Sequence, residues 1–432
     1  MSGSDERVAP MMRVLCSSVQ ISSFVSRRLA AQTPGRFGLD TNTHTNTNIN
    51  TNTNINTNTN TNINTNINTN INTSTNTSTN TSTNTSTNTS TNTSTNTNMV
   101  SLGDVRTHNA TLSSLAPGLV AIFVGGTSGI SHYTALEFAR NARSPHIYLI
   151  GRNATEAAKI TDELKSINSS SKVDFIQKDV SLLRKVDEAC REIKARETKV
   201  NLLFMTIGYM TFKGRNETEE GLDHKFALHC YARTRFMHNL APLLDAAAKD
   251  EDPKATLSRV VSVYDPALGK NNDFDFSDPS LKHNFSLRNC ATHGSALGNF
   301  AMEHLAKQWP NTSFIHEQPG IVETSGGRNP WLKPLYALLS PFSVSKKESG
   351  ERHLFEATAP RYAPRAKAET VQDVVNGGDG VKGSGHYQLS WDGEAQPDSK
   401  RAAKMRAEGA EEKMWAHTTE VFQKICDEGG KY

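Results

Sequence analysis

Apolar and polar positions divide the chain into two unlike parts. From Thr41 to Asn98 the chain is almost wholly an alternation of Thr with Asn, relieved by Ser and Ile. Such a stretch lacks the apolar area to offset chain entropy, and the pattern predicts disorder over a 1–98 leader. The folded part is predicted to start at Met99. Leu119–Val124 is an unbroken apolar run of strand length that enters the turn Gly125-Gly126-Thr127-Ser128-Gly129-Ile130-Ser131. A helical repeat follows, with Tyr133, Leu136, Phe138 and Ala139 on one face, and a second strand ends in Leu149-Ile150-Gly151-Arg152-Asn153. A helix over Glu156–Ile167 leads to the strand Val173–Ile176, which ends at Lys178-Asp179-Val180. A helix from about Leu182 to Arg196 leads to Val200–Met205, which stops at Thr206-Ile207-Gly208. Arg259–Val263 reads as strand five, and His386–Ser390 as the seventh. The tail from about 399 to 426, with Met405, Met414, Trp415, Val421, Phe422 and Ile425, reads as an amphipathic helix. Strands alternating with helices at this spacing imply parallel pairing with right-handed crossovers. The fold predicted for 99–432 is therefore one α/β domain, a Rossmann-type doubly wound parallel sheet flanked by helices, with ligands at the carboxyl ends of its strands.

Composition narrows the setting. The 432 residues allow two or three domains, but the Thr/Asn tract removes the length that a second core needs. Met11–Phe37 carries Arg13, Arg27, Arg28 and Arg36 without an acidic residue, the make-up of a mitochondrial presequence. The alternative is a simple extension, because Asp5 and Glu6 lie upstream and Met99 opens the domain. Five cysteines without paired spacing argue for a reducing compartment and against a zinc site or disulfide framework, so no metal is expected. A net charge of +3 spread over scattered basic residues argues against a nucleic-acid surface. No apolar run approaches the ~18 residues of a membrane span. The prediction is a soluble intracellular protein, cytoplasmic, or mitochondrial if the leader is a real presequence.

The chemistry begins at the turn. Gly125 and Gly129 can take backbone angles closed to other residues, and they let amide N–H groups approach a pyrophosphate at the positive end of the next helix. Their spacing, Gly125-x-x-x-Gly129-x-Ser131, departs from Gly-x-Gly-x-x-Gly. Taken with Gly-Arg-Asn after strand two, Asp179-Val180 after strand three, Gly208 after strand four and Pro319-Gly320-Ile321-Val322-Glu323-Thr324 after strand six, the turn resembles the short-chain dehydrogenase/reductase family. The likeness covers about 115–392. It is nearest to divergent fungal members of secondary metabolism through Gly221-Leu222-Asp223, Leu228-His229-Cys230-Tyr231-Ala232-Arg233 and Gly350-Glu351-Arg352-His353-Leu354. The resemblance implies that Gly125, Thr127, Ser128, Gly129 and Ile130 hold the pyrophosphate. It also implies that Asp179 bonds the adenine amino group, that Val180 packs on the ring, and that Gly208, Pro319, Gly320, Val322 and Thr324 line the rest of the cofactor. NAD sites tend to carry an acidic residue after strand two; Arg152 stands there instead, suited by charge and forked geometry to a 2′-phosphate, so NADP is expected over NAD.

Departures from the family appear at Ser131, the third glycine's position, and in the catalytic set. The family uses a Tyr, a Lys four residues on, a Ser and an Asn. Here the Ser position falls on or beside Asp265, the Tyr position at about Ala291, the Lys position at about Ser295, and the Asn position on His229. The chain's one Tyr-x-x-x-Lys, Tyr209 to Lys213, lies after strand four, in the wrong element. His229, His293, Tyr209, Tyr264 and Asp265 are the residues expected near the nicotinamide, and histidine ordinarily titrates near neutral pH. A lid is expected at about 325–365, where the apolar run Asn329–Leu339 favours a lipophilic substrate. The function expected is an NADP-linked oxidoreductase acting on a carbonyl or alcohol of a lipophilic small molecule, with a homodimer or homotetramer implied by the resemblance. The alternative is a non-redox pseudoenzyme that binds the dinucleotide as a ligand-binding or scaffolding protein.

Overall fold

A computed structural model describes residues 99–209, 211, 213–322 and 343–432. The leader, Thr324 and the lid as far as 342 lie outside the described residues. Seven strands, β1 (Val120–Val124), β2 (His146–Gly151), β3 (Lys172–Gln177), β4 (Leu202–Met205), β5 (Arg259–Val263), β6 (Ser313–Glu317) and β7 (His386–Leu389), form one parallel sheet in the order β3-β2-β1-β4-β5-β6-β7. Continuous apolar runs suit strands covered on both faces, and every residue of β1, β4 and β5 is buried. The strand order reverses between β1 and β4, whose registers pair Ala121 with Leu202 and Val124 with Met205. That reversal opens a crevice beyond their carboxyl ends.

Alternation along each strand sends side chains to two cores. On one face Ile122, Val124, Leu203, Met205, Val260 and Phe314 meet α4 (Leu183–Lys194), α5 (Ala232–Ala248), α6 (Leu287–Gln308) and α8 (Ala410–Phe422). On the other, Phe123, Phe204, Val261 and Ile315 meet α1 (Leu102–Ala110), α2 (Gly129–Asn141), α3 (Ala154–Ile167) and α7 (Lys346–Thr358).

Two details differ from the periodicity. The buried side of α2 is Ser131, Thr134, Ala135, Glu137, Phe138 and Ala139, while Tyr133 and Leu136 sit at its rim. The helix is rotated because it is covered twice, by the sheet and by α7, whose Gly350 passes so close that a Cβ there would lie 2.5 Å from the Tyr133 carbonyl oxygen. The tail is two helices instead of one: Lys400–Ala407 stops at Gly409, which sits at φ 74°, before α8 begins.

Candidate functional site

Three turns at the carboxyl edge build the site. The first leaves β1 through Gly125 (φ 86°) and enters α2 at Gly129 (φ 65°). Both lie in the left-handed region that favours glycine. Gly125 donates its N–H to the Ile150 carbonyl at 2.9 Å, and a Cβ on it would stand 3.0 Å from Thr206 Oγ1; on Gly126 it would stand 2.8 Å from the Phe123 carbonyl. The backbone therefore runs where no side chain fits. Ser128 precedes α2 in an extended conformation, and its hydroxyl makes no capping bond, which leaves the amides of the first turn for an incoming anion. Thr127 seats against Gly151, where a Cβ would come within 3.0 Å of its side chain, and Ile130 packs at the rim of the α2 core. Ser131 is fully buried, so its hydroxymethyl does fit, though Oγ has no hydrogen-bond partner among the described residues.

The second turn follows β2 and β3. Arg152 is 72% exposed, with its guanidinium 3.7 Å from Asp179 Oδ2. A pair this open to water is weak and easily exchanged for a phosphate. Asp179 is oriented from behind, accepting from the Ser181 N–H at 3.1 Å and its hydroxyl at 2.8 Å, while Val180 is buried beside it.

The third region lies past β4, β5 and β6. A π-type turn, Ala227–Tyr231, joins the start of its helix to α5 and carries His229; the extra residue of such a turn re-aims side chains and is common at functional sites. His229 reaches across to Gly208, where a Cβ would lie 2.9 Å from its ring, and stands 4.7 Å between centroids from Tyr264. Tyr264 in turn stacks with His316, whose Nδ1 is 2.6 Å from Asn299 Oδ1. Beneath them Arg233 is buried. It donates to the carbonyls of Leu228, Met205, Ile207 and Val263 and to the Ser262 hydroxyl, so one cation ties β4, β5 and the π-turn together. Ser262 of β5 is thus one of its acceptors. Beyond β6, Gly320 takes φ 70° and Val322 bridges to Val344.

These surroundings settle the charge states. Burial, with Arg233 alongside, pushes the His229 imidazole down to about 3, so it is neutral at physiological pH and does not titrate there as its residue type predicts. Its Nδ1 is enclosed, with no hydrogen-bond partner among the described residues. Burial raises the Tyr264 phenol while the Arg233 charge pulls it back, and burial lowers the Arg233 guanidinium to about 10.

The expected catalytic residues are not all brought together. His293 lies in the first turns of α6 and faces the loop ahead of that helix: its Nε2 accepts from the Asp275 N–H at 3.1 Å, its Nδ1 is 3.3 Å from the Pro279 carbonyl, and its ring stacks on Phe274. Both nitrogens are held by backbone, and burial lowers its pKa. The Asp265 carboxylate accepts from the Ala267 N–H at the start of the Pro266–Lys270 helix. Tyr209 is 42% exposed beside Gly208, with its phenol raised by partial burial and by Asp223. At the Lys position Ser295 Oγ donates to the Asp265 carbonyl and accepts from the Gly269 N–H, a purely structural bridge. Arg233 is the residue that sequence reasoning missed. Its signal in the sequence was its place at the end of the motif Leu228–Arg233, where it was given no role.

Residues 119–249 match the family model for short chain dehydrogenase. The chain is 40% identical over 338 residues to oxidoreductase AN1596 of Emericella nidulans, covering 75% of this chain and 98% of that one. It is 33% identical over 344 residues to oxidoreductase andH of Emericella variicolor, covering 76% and 98%. Among solved structures, L-sorbose reductase of Gluconobacter frateurii, complexed with NADPH and L-sorbose, superposes with a TM-score of 0.41 at 18% identity over 56% of this chain and 90% of that one. No helix among the described residues is long and apolar enough to cross a membrane.

Proposed function

The chain belongs to the short-chain dehydrogenase/reductase family, and we propose that it is an NADP-linked oxidoreductase acting on a carbonyl or alcohol of a lipophilic small molecule in secondary metabolism. The observation that carries this reading is the β1–α2 turn, a backbone passage that excludes any Cβ and ends on an uncapped helix. The amides of Gly125 to Ile130 bind the pyrophosphate. Arg152 turns from Asp179 to a 2′-phosphate, Asp179 takes the adenine amino group, and Val180 packs against the ring. Gly208, Pro319, Gly320 and Val322 border the nicotinamide end. The dinucleotide supplies or accepts the hydride.

The protein's own residues supply the proton. His229, uncharged at physiological pH, lacks the readily given imidazolium proton, whereas Tyr264 carries a hydroxyl proton on Oη. Arg233, its guanidinium carbon 5.8 Å from the Tyr264 ring centre, favours the phenolate left after transfer, the part that the family's Lys plays elsewhere. His229 lies against Tyr264 and orients it. Tyr209 is the rival donor, while His293 and Asp265 hold the loops behind the site. The non-redox alternative draws on the missing Tyr and Lys, but it is not the favoured reading, since the relatives at 40% and 33% identity are named oxidoreductases.

The test is titration of the full chain with NADPH and NADH, then a panel of lipophilic carbonyl compounds followed by nicotinamide absorbance. Tyr264→Phe is expected to lower kcat by about 10² or more while leaving NADPH affinity unchanged. If Tyr264→Phe turns over at the parental rate and Tyr209→Phe does not, the proton comes from Tyr209 and the assignment fails.

A further inference from the structure

Away from the cofactor cleft, on the α7 face of the sheet, three buried side chains converge, and burial together with the neighbouring Glu317 charge raises one of them, the Glu356 carboxyl, well above its ordinary range. Glu317, the last residue of β6, is fully buried and neither of its carboxylate oxygens has a hydrogen-bond donor among the described residues. His353 and Glu356 follow one another by three residues on α7, so they project from the same side of the helix, and both are buried. His353 Nδ1 lies 2.6 Å from the Ser349 carbonyl, which fixes the ring hydrogen on Nδ1. Nε2 is enclosed, has no hydrogen-bond partner among the described residues, and stands 3.4 Å from Glu317 Oε1. One ligand atom from each of the three residues lies within 4.8 Å of the others. Arg352, on the same helix, spends its guanidinium on the Glu348 carboxylate at 2.9 Å and the Val100 carbonyl at 3.0 Å.

We infer that Glu317, His353 and Glu356 form a binding site for one divalent transition-metal cation of the zinc class. An imidazole whose far nitrogen is held by a backbone carbonyl, aimed with two carboxylates at one point, is the arrangement in which such ions are bound and their ligands oriented. Two carboxylates cancel the charge of one divalent ion, leaving a neutral core. The nitrogen donor and the small ligand set speak against calcium or magnesium, which take oxygen ligands and more of them. The ion would join the end of β6, two residues before Pro319, to α7, so its place is structural and independent of the hydride chemistry. Cysteine and histidine spacing gave no sign of it, since the ligands come from two elements 36 residues apart in sequence and meet only in the fold.

Elemental analysis of the full chain, expressed in zinc-supplemented and in manganese-supplemented medium and washed with chelator, tests the site. The expected result is about one zinc per chain, or one manganese from the second culture, with the metal lost in His353→Ala. Unfolding in chelator and refolding with and without Zn²⁺ is expected to give a higher Tm with the metal. Less than about a tenth of an ion per chain by both routes overturns the proposal, and the cluster then shares protons instead. Glu317→Gln separates the two without needing activity: it loses metal and Tm if the site binds a cation, and keeps or gains Tm if Gln merely donates to Glu356. Should the variants fail to fold, metal content of the unaltered protein decides alone.

Discussion

Removing the Arg233 guanidinium is the sharpest test of how the nicotinamide end is held. In Arg233→Met the apolar stem is kept while five acceptors, the carbonyls of Leu228, Met205, Ile207 and Val263 and the Ser262 hydroxyl, lose their donor inside a closed core. Charged hydrogen bonds contribute about 1.5–3 kcal/mol each, but the five share one group and are not additive. Removing the Arg also removes a buried charge that has only neutral partners, which offsets part of the loss. A net cost of about 3–5 kcal/mol follows, the range seen when one member of a buried polar network is deleted. In a domain of this size that is a fall in Tm on the order of 10 °C. Arg233→Lys keeps the charge but cannot fork to strands β4 and β5 together, so it should recover the Tyr264-dependent activity only in part. Thermal and denaturant melts of the three proteins, with the denaturant slope checked for constancy, measure the effect. A fall below about 3 °C in Arg233→Met would refute the claim that this cation ties the strands to the π-turn.

Three further outcomes follow from the geometry. Arg152→Asp should weaken NADPH binding far more than NADH, since it sets a like charge against the phosphate; equal losses in paired titrations would remove Arg152 from the ribose. Gly208→Ala places a Cβ 2.9 Å from the His229 ring, and should cost about 1–3 kcal/mol by melt and lower kcat through displacement of His229 from Tyr264. Burial depresses His386 to about 3 and His108 and His417 to about 4, so between their ordinary 6.5 and those values the unfolded chain binds more protons. Stability should be full above pH 6.5 and fall on acidification through that window by up to about 1.4 kcal/mol per pH unit per histidine; a flat profile in denaturant titrations from pH 7 to 5 would contradict this.

The sheet was legible because parallel strands covered on both faces need unbroken apolar runs, and Leu119–Val124 and Leu202–Met205 are such runs. Gly125 and Gly129 were legible for a local reason: the turn's demands fall on the residues that make it. What depended on distant partners was not. The His229 ring is neutral because of Arg233 and the walls around it, and nothing in a helical spacing states how much water reaches an imidazole. His293 looked equivalent in sequence, yet Asp275 and Pro279, brought back by the loop ahead of α6, occupy both its nitrogens. The face of α2 was misjudged by about a residue because the helix is covered by α7 as well as by the sheet, and a single amphipathic stripe assumes one neighbour.

Gly350 sets a fit without clearance between α2 and α7. With 2.5 Å between its missing Cβ and the Tyr133 carbonyl oxygen, one helix cannot slide or tilt without carrying the other. The amides at the head of α2 and the Glu317–His353–Glu356 cluster beside α7 are therefore surveyed from one benchmark, although they lie in different parts of the chain. Any larger side chain at 350 would move both reference points together. Its signature would be a loss of dinucleotide affinity without any change to a residue of the glycine turn, and this glycine's importance would be invisible to a search confined to the cofactor cleft.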